Sequence, residues 1–197
     1  KHTSPLRGVY GNLPLWHNLT MTDSMMVFNR RTVRQHRARA AANLKDHDFF
    51  FKESAERLCD RLDDITRSFP LALDLGCRTG QIAQTLSSRG GIKTLVQCDL
   101  ASEMVIQAMT VGRPVLTADE EALPFAIGAF DLIISNLNLH WVNDLPGTLV
   151  QARRALKSDG LFLASMLGGE TLKELRTALA EAEIAEENGL SPRVSPM

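Results

Sequence analysis

Apolar and polar positions alternate along this chain in two regimes. From residue 28 to residue 69 the spacing is helical. Residues 28–44 (FNRRTVRQHRARAAANL) are helix-permissive and set Arg30, Arg34 and Arg37 on one face at i, i+4 and i+7. Phe51, Ala55, Leu58, Leu62 and Ile65 then recur at steps of four and three, the apolar stripe of a second helix that Pro70 is predicted to end. From residue 70 onward, short apolar runs alternate with helical segments. The runs at 71–75, 92–99, 114–118, 130–135 and 161–167 read as five strands. QIAQTLSS, ASEMVIQAMT and residues 145–156 read as the intervening helices, the last closed by the turn Ser158-Asp159-Gly160. Thr171 and Glu174 form a T-x-x-E capping box before an acidic helix that ends near Gly189. Apolar strands separated by helices require a parallel sheet covered on both faces. The predicted fold is a doubly wound, mostly parallel, Rossmann-like α/β sheet.

The same pattern divides the chain. Residues 1–25 mix Gly, Pro and polar residues without period and read as a disordered or targeting-like tail. Residues 26–69 are a helical segment, 70–169 the α/β core, and 170–197 an acidic helix with the start of a further C-terminal part.

Charge changes this picture in one place. Lys and Arg number 22 against 23 Asp and Glu, a net charge of −1, so nucleic acid is not an expected partner. Residues 1–45, however, carry eight basic residues and a single acid, Asp23. The Arg30-Arg34-Arg37 stripe is open to two readings, an anion-seeking helix or a solvated face. Charge runs usually face water, and the solvated face is the expectation. The 3 cysteines, without C-x-x-C spacing, favour neither a disulfide framework nor a zinc ribbon. No run approaches the ~18 apolar residues of a membrane-spanning helix. Only peripheral membrane association is left.

In doubly wound sheets the ligand lies beyond the carboxyl ends of the strands, at the point where strand order reverses. The residues there are informative. Asp74-Leu75-Gly76-Cys77-Arg78-Thr79-Gly80 follows the first strand, with glycines that let backbone approach a ligand closely. Asp99 follows the second strand, 19 residues beyond Gly80, where a carboxylate accepts from both hydroxyls of a ribose. Asp119 follows the third, where a carboxylate accepts from an exocyclic amino group. Singly, Asp74 reads equally well as a loop cap, Asp99 as an N-cap and Asp119 to Glu121 as a solvated turn. Three acids at consecutive strand ends favour the ligand-binding reading for Asp99 and Asp119.

The stretches LDLGCRTG, ADEEALPF, FDLIISNLNLHWVNDLP and LKSDGLFLASM, in this order with Asp99, resemble the signatures of the class I S-adenosylmethionine-dependent methyltransferase superfamily. The resemblance implies S-adenosylmethionine as cofactor. It implies that Asp74, Gly76, Cys77 and Gly80 form the loop under the methionine and ribose portions. Asp99 and Leu100 would hold the ribose, Asp119 and Glu120 the adenine, and Asn136 to Trp141 the reactive end. Asn136, His140 and Trp141 are the catalytic candidates. Arg78 stands where that loop usually has glycine, and its side chain is expected to point outward, away from the cofactor. The superfamily fold has two more strands after the fifth, so the last two are expected to be missing and the fifth strand to carry an open edge.

A closer likeness lies outside the core. VFNRRTVRQHRARAA, SNLNLHWVNDLP and GGETLKELRTALAEAE with GLSPRVSP resemble a subfamily of respiratory complex I assembly factors with a methyltransferase fold and their alphaproteobacterial homologues. That likeness implies a complex I subunit as protein substrate, and arginine hydroxylation as an alternative to methyl transfer. It also implies a mitochondrial matrix location in a eukaryote, or the cytoplasm in a bacterium. A second resemblance, to malonyl-carrier-protein O-methyltransferases of biotin synthesis, keeps carboxylate methylation open, and a non-catalytic assembly scaffold is the remaining class. The histidines His2, His17, His36, His47 and His140 include no H-x-D/E pair, so no metal site is expected.

Overall fold

The computed structural model describes residues 26–187, with 189 and 191. The predicted tail, residues 1–25, lies outside the described residues, as does most of the chain beyond 187. Two compact units are present, one ending at Ser165 and one beginning at Met166.

The first unit is built on five parallel strands: β1 (Leu71–Leu75), β2 (Thr94–Asp99), β3 (Val115–Thr117), β4 (Phe130–Asn136) and β5 (Leu156–Ser165), in the order β3-β2-β1-β4-β5. The chain runs outward from β1 to β3, then returns to the other side of β1 for β4. The order therefore reverses between β1 and β4, and a crevice is required at their carboxyl ends.

Residue alternation sorts the core into two layers. Leu73, Leu75, Val96, Cys98 and Ile133 face one side, with Ala152 and Ala155 of helix α5 (Leu145–Ala155). Ala72, Leu95, Leu132 and Ile134 face the other. There they meet Ala55, Leu58 and Cys59 of α2 (Phe49–Asp60) and Ile82 and Ala83 of α3 (Gln81–Thr85). Strands buried on both faces are apolar throughout, which is why they were visible as continuous runs. A smaller cluster joins Ala41, just past α1 (Arg30–Ala40), to Ala101 and Met104 beside and within α4 (Ser102–Ala108).

Several boundaries differ from the sequence expectation. The second helix ends at Asp60, ten residues before Pro70. Leu62 and Ile65 remain on its stripe because the backbone continues in i→i+3 turns (Leu62 N–H to Cys59 O, Ile65 N–H to Leu62 O), which keep nearly the same side-chain spacing. The fifth strand begins at Leu156 and stops at Ser165. The turn at Ser158-Asp159-Gly160 is absorbed as a register shift between Phe130↔Leu156 and Leu132↔Leu161. Among the described residues β5 pairs only with β4.

In the second unit, α6 (Lys173–Glu187) starts two residues after the predicted cap Thr171, because Leu172 takes a left-handed φ of 58° and interrupts the turn. No helix among the described residues is long and apolar enough to cross a membrane.

Candidate functional site

The carboxyl ends of β1, β2 and β3 bring the predicted acids together, and α1 lies across them. Asn29 caps α1, its side chain accepting from the Thr32 N–H at 3.1 Å. Just before it, the Phe28 backbone is clamped by Asn143: the Phe28 N–H donates to Asn143 Oδ1 at 2.7 Å, and Asn143 Nδ2 donates to Phe28 O at 3.0 Å. The Phe28 ring meets Trp141 edge-on at 5.5 Å. Thus anchored, α1 presents Arg30 and Arg37 to the strand ends.

The solvated-face expectation is overturned for these two arginines. Arg37 is buried; its Nη1 donates to Glu120 Oε1 at 2.8 Å and Asp99 Oδ1 at 3.3 Å, and its Nη2 to Asn138 Oδ1 at 2.7 Å. Arg30 donates to Asp119 Oδ1 at 2.5 Å, to Glu120 Oε2 and to the Trp141 carbonyl at 3.0 Å. Arg34, between them, is exposed. The reason is that two carboxylates buried at strand ends, Asp99 and Glu120, cannot stay charged without a cation, and α1 supplies it. Burial opposes charge on Glu120, but Arg37 and Arg30, with hydrogen bonds from Arg37 and Asn138, outweigh it and hold the carboxyl down at about 2. Burial opposes charge on Arg37 too, and Asp99 and Glu120 outweigh it and raise the guanidinium.

Asp99 does more than pair with Arg37. Its Oδ1 accepts from the Ala101 N–H at 2.9 Å and its Oδ2 from the Arg78 N–H at 3.1 Å, tying the loop after β1 to the end of β2. Leu100 is buried beside it in sequence. Asp119 Oδ1 also accepts from the Glu121 N–H at 2.9 Å, and so fixes its own turn.

The loop after β1 contains the opposite situation. Asp74 is fully buried, and neither carboxylate oxygen has a partner. Burial, then the charge of Asp99, pushes its carboxyl up to about 8, with Arg78 pulling the other way. Asp74, Gly76, Cys77 and Asn136 line one small pocket with Arg78, Gln81 and Ile82. Gly76 has φ +79°, and a Cβ there would lie 2.1 Å from Asn138 Cγ: the Asn138 carboxamide rests directly on the glycine. Gly80, at φ +89°, heads α3 over Gln97, whose amide atoms are both buried without partners. The Cys77 thiol is raised by burial and is therefore no nucleophile.

Arg78 also corrects the sequence expectation. It does not point outward. At φ +51° it turns its side chain inward, where the guanidinium stacks 4.3 Å from the Phe51 ring centroid and Nη2 donates to the Leu137 carbonyl at 2.5 Å. The apolar surface that Phe51 turns toward the loop is what makes the inward position available.

Of the catalytic candidates, Asn136 is committed to the scaffold: Nδ2 donates to the Phe51 carbonyl at 2.9 Å and Oδ1 accepts from Ser165 Oγ at 2.8 Å. His140 sits in a one-turn 3-10 helix (Leu139–Trp141), its Nδ1 buried without a partner. Burial and then the charges of Arg78 and Arg37 lower it to about 4, so the imidazole is neutral at physiological pH. Trp141 lines a cavity of about 410 Å³ with Phe28, Phe51, Met104, Arg37 and Arg78. That volume lies within the ~300–1,000 Å³ of small-molecule sites. Among the described residues no cluster of three His, Cys, Asp or Glu is placed to hold a metal. Sequence reasoning missed Arg30 and Arg37 as site residues; Asn138 fell within the expected segment Asn136 to Trp141 without being singled out. The available signal was the seven-residue spacing of the two arginines, which returns to the same helix face.

Residues 73–164 match a methyltransferase domain family. The arginine-hydroxylase NDUFAF5 of Danio rerio, a mitochondrial protein, is 40% identical over 195 residues, which covers 97% of this chain and 60% of that protein. A malonyl-[acyl-carrier protein] O-methyltransferase of Methylovorus is 33% identical over 80% of this chain and 57% of its own length. A methyltransferase of Haloferax volcanii, solved with its activator Trm112, superimposes with a TM-score of 0.59 at 24% identity, over 65% of this chain and 58% of that one. It is similar in fold. The chain spans little more than half the length of the NDUFAF5 proteins it matches.

Proposed function

We propose, from the premise that this chain is a class I methyltransferase-fold homologue of the NDUFAF5 proteins, that it binds S-adenosylmethionine and modifies a protein substrate during respiratory complex I assembly. The observation that carries the cofactor reading is Asp74: a buried carboxyl with both oxygens unsatisfied, beneath a glycine loop, at the point where strand order reverses. The residues fit the cofactor. Asp99 would hold the ribose hydroxyls, Asp119 and the backbone beside Glu120 the adenine, and Asp74, Gly76 and Gly80 the methionyl portion. Bound there, S-adenosylmethionine supplies an electrophilic methyl group on a sulfonium.

The chain's own residues orient and enclose. A ligand seated on Gly76 displaces the Asn138 carboxamide, and a ribose on Asp99 competes with the Arg37 guanidinium for the same oxygen. The cover formed by α1 therefore gives way at Arg37, and at Arg30 where adenine takes Asp119, while the Asn143 clamp on Phe28 keeps its start anchored. Phe28, Phe51 and Trp141 give the cavity an apolar wall, and His140, kept neutral by burial and by Arg78 and Arg37, leaves its Nδ1 without a hydrogen-bond partner.

The relatives' name makes arginine hydroxylation the favoured reaction on the protein substrate, a step in which dioxygen gives one oxygen atom to the arginine C–H and an external two-electron reductant carries the other to water; methyl transfer, on the strength of the domain match, is the second reading. In a eukaryote the site of action is the mitochondrial matrix. The test is mass spectrometry of a candidate complex I subunit after aerobic incubation with the protein, S-adenosylmethionine and a two-electron reductant, with an anaerobic, reductant-free control. Gain of one oxygen on an arginine supports hydroxylation, and gain of one methylene supports methyl transfer. A modified carboxylate on a malonyl carrier protein instead redirects the reading to the biotin-pathway relatives. Asp99→Ala separates enzyme from scaffold: partner binding that survives while product disappears fits an enzyme, and unchanged assembly function without any product fits a scaffold.

A further inference from the structure

The cavity of about 410 Å³ under α1 is not used by the cofactor reading: none of Asp74, Gly76, Gly80, Asp99, Asp119 and Glu120 lines it. Phe28, Phe51, Met104 and Trp141 form its apolar wall, and the guanidiniums of Arg37 and Arg78 its only charged part among the described residues. No aspartate or glutamate among them faces it. Thr32, His36 and Ala40, spaced one turn apart on α1, stand on the wall and are exposed, so the cavity reaches solvent there. The two cations differ. Arg37 is compensated by Asp99 and Glu120. Arg78 is buried, covers the Phe51 ring and gives one N–H to the Leu137 carbonyl, but its Nε has no partner and no carboxylate among the described residues pairs with it. Burial and then Arg37 bring its guanidinium down to about 10, which leaves it charged at neutral pH. The resembled loop has glycine at this position, so the uncompensated cation belongs to this chain and not to the loop pattern.

An apolar, aromatic-walled cavity with one unanswered guanidinium is complementary to a flat apolar molecule that carries a single negative charge. We propose that the cavity under α1 binds a small aromatic carboxylate, with the carboxylate on Arg78 and the ring against Phe28, Met104 and Trp141. Arginine suits the role because its planar fork matches a carboxylate with charge-assisted hydrogen bonds. A cation is refused for the same reason. A guanidinium or ammonium in the cavity would meet Arg78 and Arg37 with no acid on the wall to answer it. The arginine side chain of a protein substrate is therefore not the occupant, and the cavity serves a second, small molecule. The inference does not depend on S-adenosylmethionine.

The experiment is equilibrium dialysis of the full chain against 2-naphthoate, 2-naphthylmethanol and 2-naphthylmethylammonium, one ring carrying three charges. Wild type is expected to bind the naphthoate at least ~10-fold more tightly than the alcohol, and the ammonium most weakly. Arg78→Gln should bring the naphthoate down to the alcohol's affinity and leave the alcohol where it was, while Arg78→Lys keeps the order of the three. Thermal melts show whether each variant is folded. The ranking in wild type needs no variant, so a misfolded Arg78→Gln does not shield the proposal. Equal binding of the three probes, no binding of any, a preference for the ammonium, or an unchanged naphthoate affinity in folded Arg78→Gln overturns it. Repeating the dialysis with S-adenosylmethionine present tests separateness: naphthoate that stays bound supports a site of its own, and its displacement makes the cavity part of the cofactor's seat and overturns the proposal. If S-adenosylmethionine itself does not bind, the cofactor reading falls and the ranking of the three probes still decides this one.

Discussion

At the ends of β2 and β3 every carboxylate has found a guanidinium; at the end of β1 a buried carboxyl has no partner, and the nearby guanidinium is held by a ring and a carbonyl and not by a carboxylate. Asp99, Asp119 and Glu120 are answered by Arg30 and Arg37 from α1. Asp74 and Arg78 are answered by nothing of comparable strength. The first arrangement holds a helix to a sheet, because each charge is desolvated and each is compensated. The second leaves desolvation uncompensated, and a folded chain tolerates that where a ligand completes the set. On the proposed cofactor reading, the pairing at β2 and β3 serves the fold until a ligand competes for it, while the end of β1 is kept for the ligand.

The largest effect should come from breaking the paired side. Arg37→Ala leaves Asp99 and Glu120 buried without their shared cation, and removal of one partner from such a pair destabilises by about 3–5 kcal/mol. Urea unfolding of wild type and variant measures it. A loss under about 1 kcal/mol would mean that water already reaches those acids and that α1 is not held by charge.

Next comes the unpaired side, through pH. The Asp74 carboxyl is raised on folding, from 3.8 to about 8. A raised acid favours the folded state while protonated, so its contribution is complete below pH 3.8 and is lost as pH rises toward 8. Asp74→Asn, permanently neutral, should be close to wild type at pH 4 and more stable by about 2 kcal/mol or more at pH 8.5, some 5 °C in Tm. Glu120 has the opposite sign. Its carboxyl is depressed, so the stability it supplies is present above pH 4.5 and is lost as pH falls toward about 2. Thermal melts across pH distinguish the two. If Asp74→Asn tracks wild type at all pH values, Asp74 is already satisfied in solution.

A third test touches both sides through the ligand. On the proposed reading Asp99→Ala removes the ribose acceptor, and it should then weaken S-adenosylmethionine by at least ~10-fold in calorimetry. The same change releases Arg37 from one of its two acids, so some of the lost affinity returns as easier opening of the cover. Equal affinity in wild type and Asp99→Ala would take the ribose assignment away from Asp99.

The sheet and the place of its acids were legible because strands buried on both faces are continuous apolar runs and because the acids fall just beyond them. Asp74, Asp99 and Asp119 could be located by counting from those runs. Arg78 was visible as a departure from a glycine pattern, but its direction was not, because nothing local says that Phe51, 27 residues earlier, offers a ring for the guanidinium to cover. Arg37 was visible as one member of a basic stripe. Its burial depends on Glu120 and Asn138, which are 83 and 101 residues away. Burial of a charge is a property of the assembled pair, and single-helix patterning does not contain it.

The smallest effect belongs to Arg34, and it tests whether position on the helix or mere charge sets the contribution. Residues in an α-helix turn by about 100° each, so seven residues after Arg30 the chain returns to within about 20° of the same direction. Arg34 lies about 40° to one side of Arg30 and so about 60° from Arg37, and that rotation carries it out of the contact and into water, where it is exposed. Arg34→Ala should therefore change stability by no more than ~0.5 kcal/mol, the range of ordinary surface substitutions. It keeps helix propensity, since alanine is the best helix former, so little else can shift the result. Against the several kcal/mol assigned to Arg37, the two variants measured side by side in urea separate paired from unpaired arginines on one stripe. A loss at Arg34 equal to that at Arg37 would show that α1 is held by its overall charge, and the contrast drawn between the strand ends would fail with it.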